Sequence, residues 1–118
     1  MGRTEITCAT ALRVIHREVA RVTEIEPATR RRLRAVVYAR WLAMMLSREL
    51  TGASTPWIAR EYGCLDHTSV LYAVARYRDV ETPEMARTAE AIRAMFHATY
   101  RVVGSPPYTA TRTVHAAH

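Results

Sequence analysis

"STPWIAREYGCLDHTSVLYAVARY", residues 54–77, is the stretch that decides the fold. Ser54 is a natural N-cap, and Pro56 falls in the first helical turn, where a missing backbone N–H costs nothing. The helix it opens is short, residues 54–62. Gly63-Cys64-Leu65 then makes a tight turn. Asp66 can cap a second helix, running to about residue 78, by accepting from the backbone N–H of Thr68 or Ser69. A short helix, a turn opened by glycine and a second capped helix are the layout of a helix-turn-helix. At 100° per residue Val70, Ala73, Val74 and Tyr77 face the core. Thr68, Tyr72 and Ala75 fall opposite, flanked by Leu71 and Arg76, and His67 juts from the first turn.

The flanking segments also read as helices. Residues 10–25 carry Leu12, Ile15, Val19 and Val22 at three- and four-residue steps, and Glu26-Pro27 ends that helix or marks a turn. "ATRRRLR" is a basic connector leading to a helix over residues 35–50, apolar nearly all round and therefore central, with Gly52 as its stop. Its Val36, Ala39, Ala43, Leu46 and Leu50 share one face. A last helix starts at Thr82-Pro83 and runs to about Tyr100, with Met85, Ala89, Ile92 and Phe96 inward. No strand or hairpin signal emerges. The fold class is all-α: a compact bundle of about five helices in one domain, residues 10–103, between a flexible N-terminus (1–9) and a flexible tail (104–118).

Charge narrows the function. All 17 basic side chains are arginine and the formal net charge is +6. The absence of lysine removes Schiff-base and phosphate-loop lysine chemistry, and no Gly-rich phosphate loop is present, so no nucleotide is expected. Residues 30–60 hold seven arginines against one acid, Glu49, whereas the other segments balance. A concentrated block makes one face attractive to polyanions, although an arginine-biased genome also enriches the residue. No apolar run approaches the roughly 20 residues that span a bilayer, and "MGRTEITCAT" has no signal-peptide core. A cytoplasmic, nucleoid-associated protein without membrane contact is expected, with Cys8 and Cys64 as free thiols.

Cys64 and His67 would need at least two more ligands to hold a metal, and the other histidines are scattered. As a nucleophile pair they lack an orienting third group and a pocket. No paired carboxylates or triad are found; neither an enzyme nor a cofactor is expected. Groove contact fits better. The second helix of a helix-turn-helix enters the major groove with its N-terminal residues toward base edges, where hydroxyl and imidazole groups donate or accept.

"ARWLAMMLSRELTGASTPWIAREYGCLDHTSVLYAVARY", residues 39–77, resembles the C-terminal DNA-binding domain of the bacterial replication initiator DnaA. Matching positions are Arg40, Ala43, Met44, Leu46, Arg48, Glu49, Leu50 and Thr51, then Ser54, Pro56, Ile58, Gly63, Asp66, His67, Thr68 and Val70. The likeness covers about residues 10–100. It implies a helical bundle that binds duplex boxes. Asp66, His67, Thr68 and Ser69 are the implied base-proximal residues, with Leu65, Tyr72 and Arg76 beside them. Arg40 and the cluster Arg30, Arg31, Arg32 and Arg34 are the implied backbone or minor-groove contacts. Thr55 and Pro56 are the implied phosphate contacts. Leu65 stands where the family has arginine, Cys64 where it has glycine, and Trp41 and Trp57 replace polar residues, so the family's own recognition sequence is not carried over. The ATPase module that precedes this domain in the family is absent from the sequence; site-specific binding is implied and origin melting is not.

The expected function is sequence-specific double-stranded DNA binding by a transcriptional regulator, of a phage-derived gene cluster for instance. The alternative is an adaptor or replication-control factor on the same fold. Its partner would be RNA polymerase or a replication or transcription factor, bound through Trp57, Leu65 and the last helix.

Overall fold

The computed structural model describes residues 2–29, 33–64 and 66–104. Thr4–Ile6 form strand β1, and five helices follow: α1 (Cys8–Thr23), α2 (Arg34–Thr51), α3 (Thr55–Glu61), α4 (Thr68–Val80) and α5 (Pro83–Thr99). Strand β2 (Tyr100–Val102) closes the described chain and pairs with β1 in parallel, Thr4 opposite Tyr100 and Ile6 opposite Val102. The fold is compact and mostly helical.

Capping sets most boundaries. Thr7 accepts from the Thr10 N–H at α1, Ser54 from Trp57 at α3 and Thr82 from Met85 at α5, each satisfying an orphan donor of a first turn. Glu24 ends α1 in the left-handed region at φ 59°, and Gly52 ends α2 at φ 75°, where glycine pays no Cβ penalty.

Helix α2 is the hub, packing against α1, α3, α4 and α5. Its Leu42, Ala43, Met44 and Leu46 meet Leu12, Ile15 and Val19 of α1, Ile58 of α3, Val70 and Tyr77 of α4, and Ile92 and Phe96 of α5 in one core. Each fully buried large aliphatic side chain contributes about 1.5–3 kcal/mol, so this helix carries the largest share of the burial energy. Glu49, the single acid of the basic block, is taken up by the Arg93 fork of α5, with Nε–Oε2 2.6 Å and Nη2–Oε1 3.1 Å.

Three sequence expectations change. The strands were not foreseen: β1 lies in the segment assigned to a flexible N-terminus, held by the β2 ladder, an Arg101–Glu5 ion pair and a Val103 N–H to Ile6 carbonyl bond of 2.9 Å. A three-residue strand is too short to show alternation, and its partner lies almost a whole chain away. Helix α1 starts at Cys8, already buried, rather than at residue 10. Val22 completes the apolar stripe of α1 in sequence but is 39% exposed, because it lines an open groove with Tyr38 and Leu42 of α2 and Met85 of α5. The tail beyond Gly104 lies outside the described residues.

Candidate nucleic-acid interface

The turn between α3 and α4 is closed on both sides by backbone hydrogen bonds. The Tyr62 N–H reaches the carbonyls of Ile58 and Ala59, Gly63 donates to Arg60, and Cys64 donates to Ala59 at 2.8 Å. Gly63 sits at φ 73°, a left-handed conformation that reverses the chain within one residue. Asp66 Oδ1 then accepts the Thr68 N–H at 2.9 Å, while the Asp66 and His67 carbonyls accept from Ser69 and Val70, both at 3.0 Å. The Thr68 N–H holds the Asp66 carboxyl below its ordinary value, with the Thr68 hydroxyl adding to the effect.

Because Asp66 does the capping, the His67 imidazole makes no cap bond and stands exposed at the tip with Thr68. Val70, Ala73 and Tyr77 bury the opposite face, which fixes how the tip is presented. On the outward face Tyr72 is 60% exposed and meets Trp41 of α2 edge to face, ring centroids 5.9 Å apart; Tyr38 lies 5.6 Å beyond Trp41. The Arg76 guanidinium lies 3.3 Å from Asp79, one turn along α4.

The segment leading into the basic connector approaches the same tip. A groove lined by Ala28, Thr29 and Arg40 on one side has Gly63, Cys64, Ser69 and Tyr72 on the other. Thr29 is the residue before Arg30. The segment leading to it is fastened three ways. Glu26 accepts the Ala28 N–H at 3.0 Å and pairs with His16, the Thr29 N–H closes a turn onto Glu26, and Arg40 donates to the Pro27 and Thr29 carbonyls. Burial opposes ionisation of Glu26, but the Ala28 N–H and His16 outweigh it and hold the carboxyl below its ordinary value. The His16 ring in turn stacks on Tyr62, centroids 5.1 Å apart, so α1, the connector and the α3–α4 turn are tied together. Among the described residues no cluster of His, Cys, Asp and Glu suits a metal ion, and no helix is long and apolar enough to cross a membrane.

With the capped tip of α4 and the Ala28–Thr29 segment lining one groove, residues 12–76 match the family model described as the bacterial DnaA protein helix-turn-helix. The chain belongs to the DnaA helix-turn-helix family. It is 40% identical over 98 residues to the chromosomal replication initiator protein DnaA of Symbiobacterium thermophilum, covering 80% of this chain and 21% of that protein. The DnaA of Mesorhizobium japonicum is 38% identical over 88 residues, 70% of this chain and 18% of the relative. For the DnaA of Limosilactobacillus reuteri the figures are 39% over 77 residues, 63% and 17%. The chain thus spans about a fifth of the length of these relatives. No solved structure matches. The region shared with DnaA is a non-catalytic, DNA-binding helix-turn-helix domain.

Within this DnaA-like frame the structure brings Thr68, Ser69, Tyr72 and Arg40 to one groove, with Asp66 and His67 exposed at its end. Arg34 is exposed at the first turn of α2. Arg76 lies further down the outward face of α4. Thr55 and Pro56 open α3 at the end away from the turn, half-buried, and are not among the groove-lining residues. Arg30, Arg31, Arg32 and Leu65 lie outside the described residues. Sequence reasoning missed Glu26, His16 and the Trp41–Tyr72 pair. A glutamate two residues before the N–H it caps leaves a faint trace beside Pro27, whereas contacts between helices far apart in sequence leave none.

Proposed function

We propose that this chain is a sequence-specific double-stranded DNA-binding protein that regulates transcription at the nucleoid. The observation that carries this reading is the shared groove: Thr29, at the threshold of Arg30–Arg32, faces Ser69 and Tyr72 of α4. A helix tip with an exposed imidazole and hydroxyl can reach base edges in a major groove while the basic connector follows the neighbouring backbone or minor groove. Asp66, His67, Thr68 and Ser69 would discriminate, with Leu65, Tyr72 and Arg76 bordering them. Arg30, Arg31, Arg32 and Arg34 would supply salt-dependent affinity, and Thr55 and Pro56 a phosphate contact from the start of α3. The apolar Leu65 favours a recognition sequence different from the boxes of full-length DnaA. Regulation follows from binding alone, since a bound domain can obstruct or recruit RNA polymerase without chemistry of its own.

An adaptor presenting Trp57 has less support, because Trp57 packs against the core and is half-buried. Selection of bound fragments from a genomic library, followed by gel shift across a salt series, tests the reading. A phage-derived gene cluster is the first place to look for enriched sites. The expected result is one enriched duplex motif whose retardation weakens steeply with salt. Absence of any retardation at low salt would favour the adaptor.

A further inference from the structure

We infer that Tyr72 is a specificity residue that reads the C5-methyl group of a thymine, and that Trp41 positions its ring for that contact. The inference rests on α4 entering a major groove, as proposed above, and names the base feature recognised beside the helix tip. Tyr72 lies one turn beyond Thr68 on α4, and both side chains are exposed. Four residues of helix advance about 6 Å, close to two base-pair steps, so a helix that sets Thr68 against one base brings Tyr72 near another. The two side chains line one open hollow with Ser69 of α4 and with Trp41 and Met44 of α2. Thr68 and Ser69 bring hydroxyls to it; Trp41, Met44 and the Tyr72 ring bring apolar surface. The apolar group that an unmodified major groove offers is the thymine methyl, and burying one methyl against such a surface is worth about fourfold in affinity. A ring that is 60% exposed loses rotamer freedom on binding unless something holds it beforehand. Trp41 does so: the two ring planes meet at 81° with centroids 5.9 Å apart, an attractive T-shaped geometry. Trp41 is itself fixed, half-buried against the core and 5.6 Å from the Tyr38 ring. Tyr72 therefore presents its ring to the groove from a support built on α2.

The experiment replaces each thymine of a selected duplex by deoxyuridine, one at a time, which deletes the C5-methyl group and leaves every hydrogen-bonding edge intact. Gel shift reads the affinity of each duplex. For the natural protein one such replacement is expected to weaken binding about fourfold, and Tyr72→Ala is expected to bind the two forms of that duplex alike. Trp41→Leu should lose the same preference, and Trp41→Phe, which keeps an aromatic contact, should retain it. Circular dichroism confirms folding; Tyr72→Ala alters an exposed side chain, and Trp41→Met stands in if Trp41→Leu unfolds. An undiminished preference in Tyr72→Ala, or a duplex in which no thymine methyl matters, overturns the inference while leaving sequence-specific binding in place. Full preference in the leucine or methionine variant overturns the positioning role of Trp41. A selection that yields no preferred duplex overturns the reading of the chain as sequence-specific and the inference together.

Discussion

The tip of α4 and the Ala28–Thr29 segment that leads into the basic run lie on two walls of one groove, yet they are built by different means. The tip is held by short-range bonds, from Asp66 to Thr68 and Ser69 and from His67 to Val70, over a face buried by Val70, Ala73 and Tyr77. The segment at residues 26–29 adds to its local Glu26 bonds two ties from distant residues: Arg40 from α2, and His16 of α1 through Glu26. The difference fits the division of labour proposed above. A tip rigid in itself is suited to distinguish base edges, where small displacements change hydrogen bonds. An arginine-rich strand needs only to be held near the duplex, because Coulomb attraction to phosphates tolerates displacement and carries no sequence information.

The contrast is sharpest if each wall is removed in turn. Replacing Arg30, Arg31 and Arg32 by alanine should weaken binding on the order of a hundredfold on every duplex and reduce the slope of log affinity against log salt by about 3. Titrations at several salt concentrations read both quantities; a loss confined to the preferred duplex would reverse the division of labour. Thr68→Ala should cost about 1–3 kcal/mol on the preferred duplex and little on a scrambled one, with the salt slope unchanged. Equal losses on the two duplexes would place Thr68 in the backbone-contact class instead.

Two smaller effects test how the tip is made. Gly63→Ala forces a side chain into a left-handed conformation at φ 73° with open space around the new Cβ, so the cost is backbone strain of about 1 kcal/mol and not a clash. Denaturant unfolding should show that shift in midpoint with an unchanged slope. Asp66→Asn should be the mildest, because asparagine caps as well as aspartate. The lowered pKa of Asp66 means its ionised cap supports the fold above the ordinary aspartate value of 3.8 and is lost as pH falls through the lower folded value. The asparagine variant should lack that part of the acid-induced loss of stability. It should also bind random duplex slightly better, having one fewer negative charge facing phosphates.

How far the sequence alone could be read follows the same divide. Caps at Ser54, Asp66 and Thr82, the stop at Gly52 and the buried stripes of α2, α4 and α5 were all legible, because each depends on residues within one or two turns. Recognition of the helix-turn-helix followed from them. Arg40 was visible as a charged residue beside a basic run, but its bonds to Pro27 and Thr29 depend on a chain reversal that no local pattern encodes. The β1–β2 ladder and the His16–Tyr62 stack were hidden for the same reason: each joins segments whose sequences are independent of one another. Val22 shows the converse, a periodic position left part-exposed in a groove between α1, α2 and α5.

Hydroxyl-radical footprinting on a selected duplex reads both walls of the groove at once. The structure predicts protection of the backbone bordering one stretch of major groove together with the adjoining minor groove, on a single face of the helix, and loss of the minor-groove part alone when Arg30–Arg32 become alanine. Protection on opposite faces, or a footprint that the triple variant leaves whole, would contradict a shared interface.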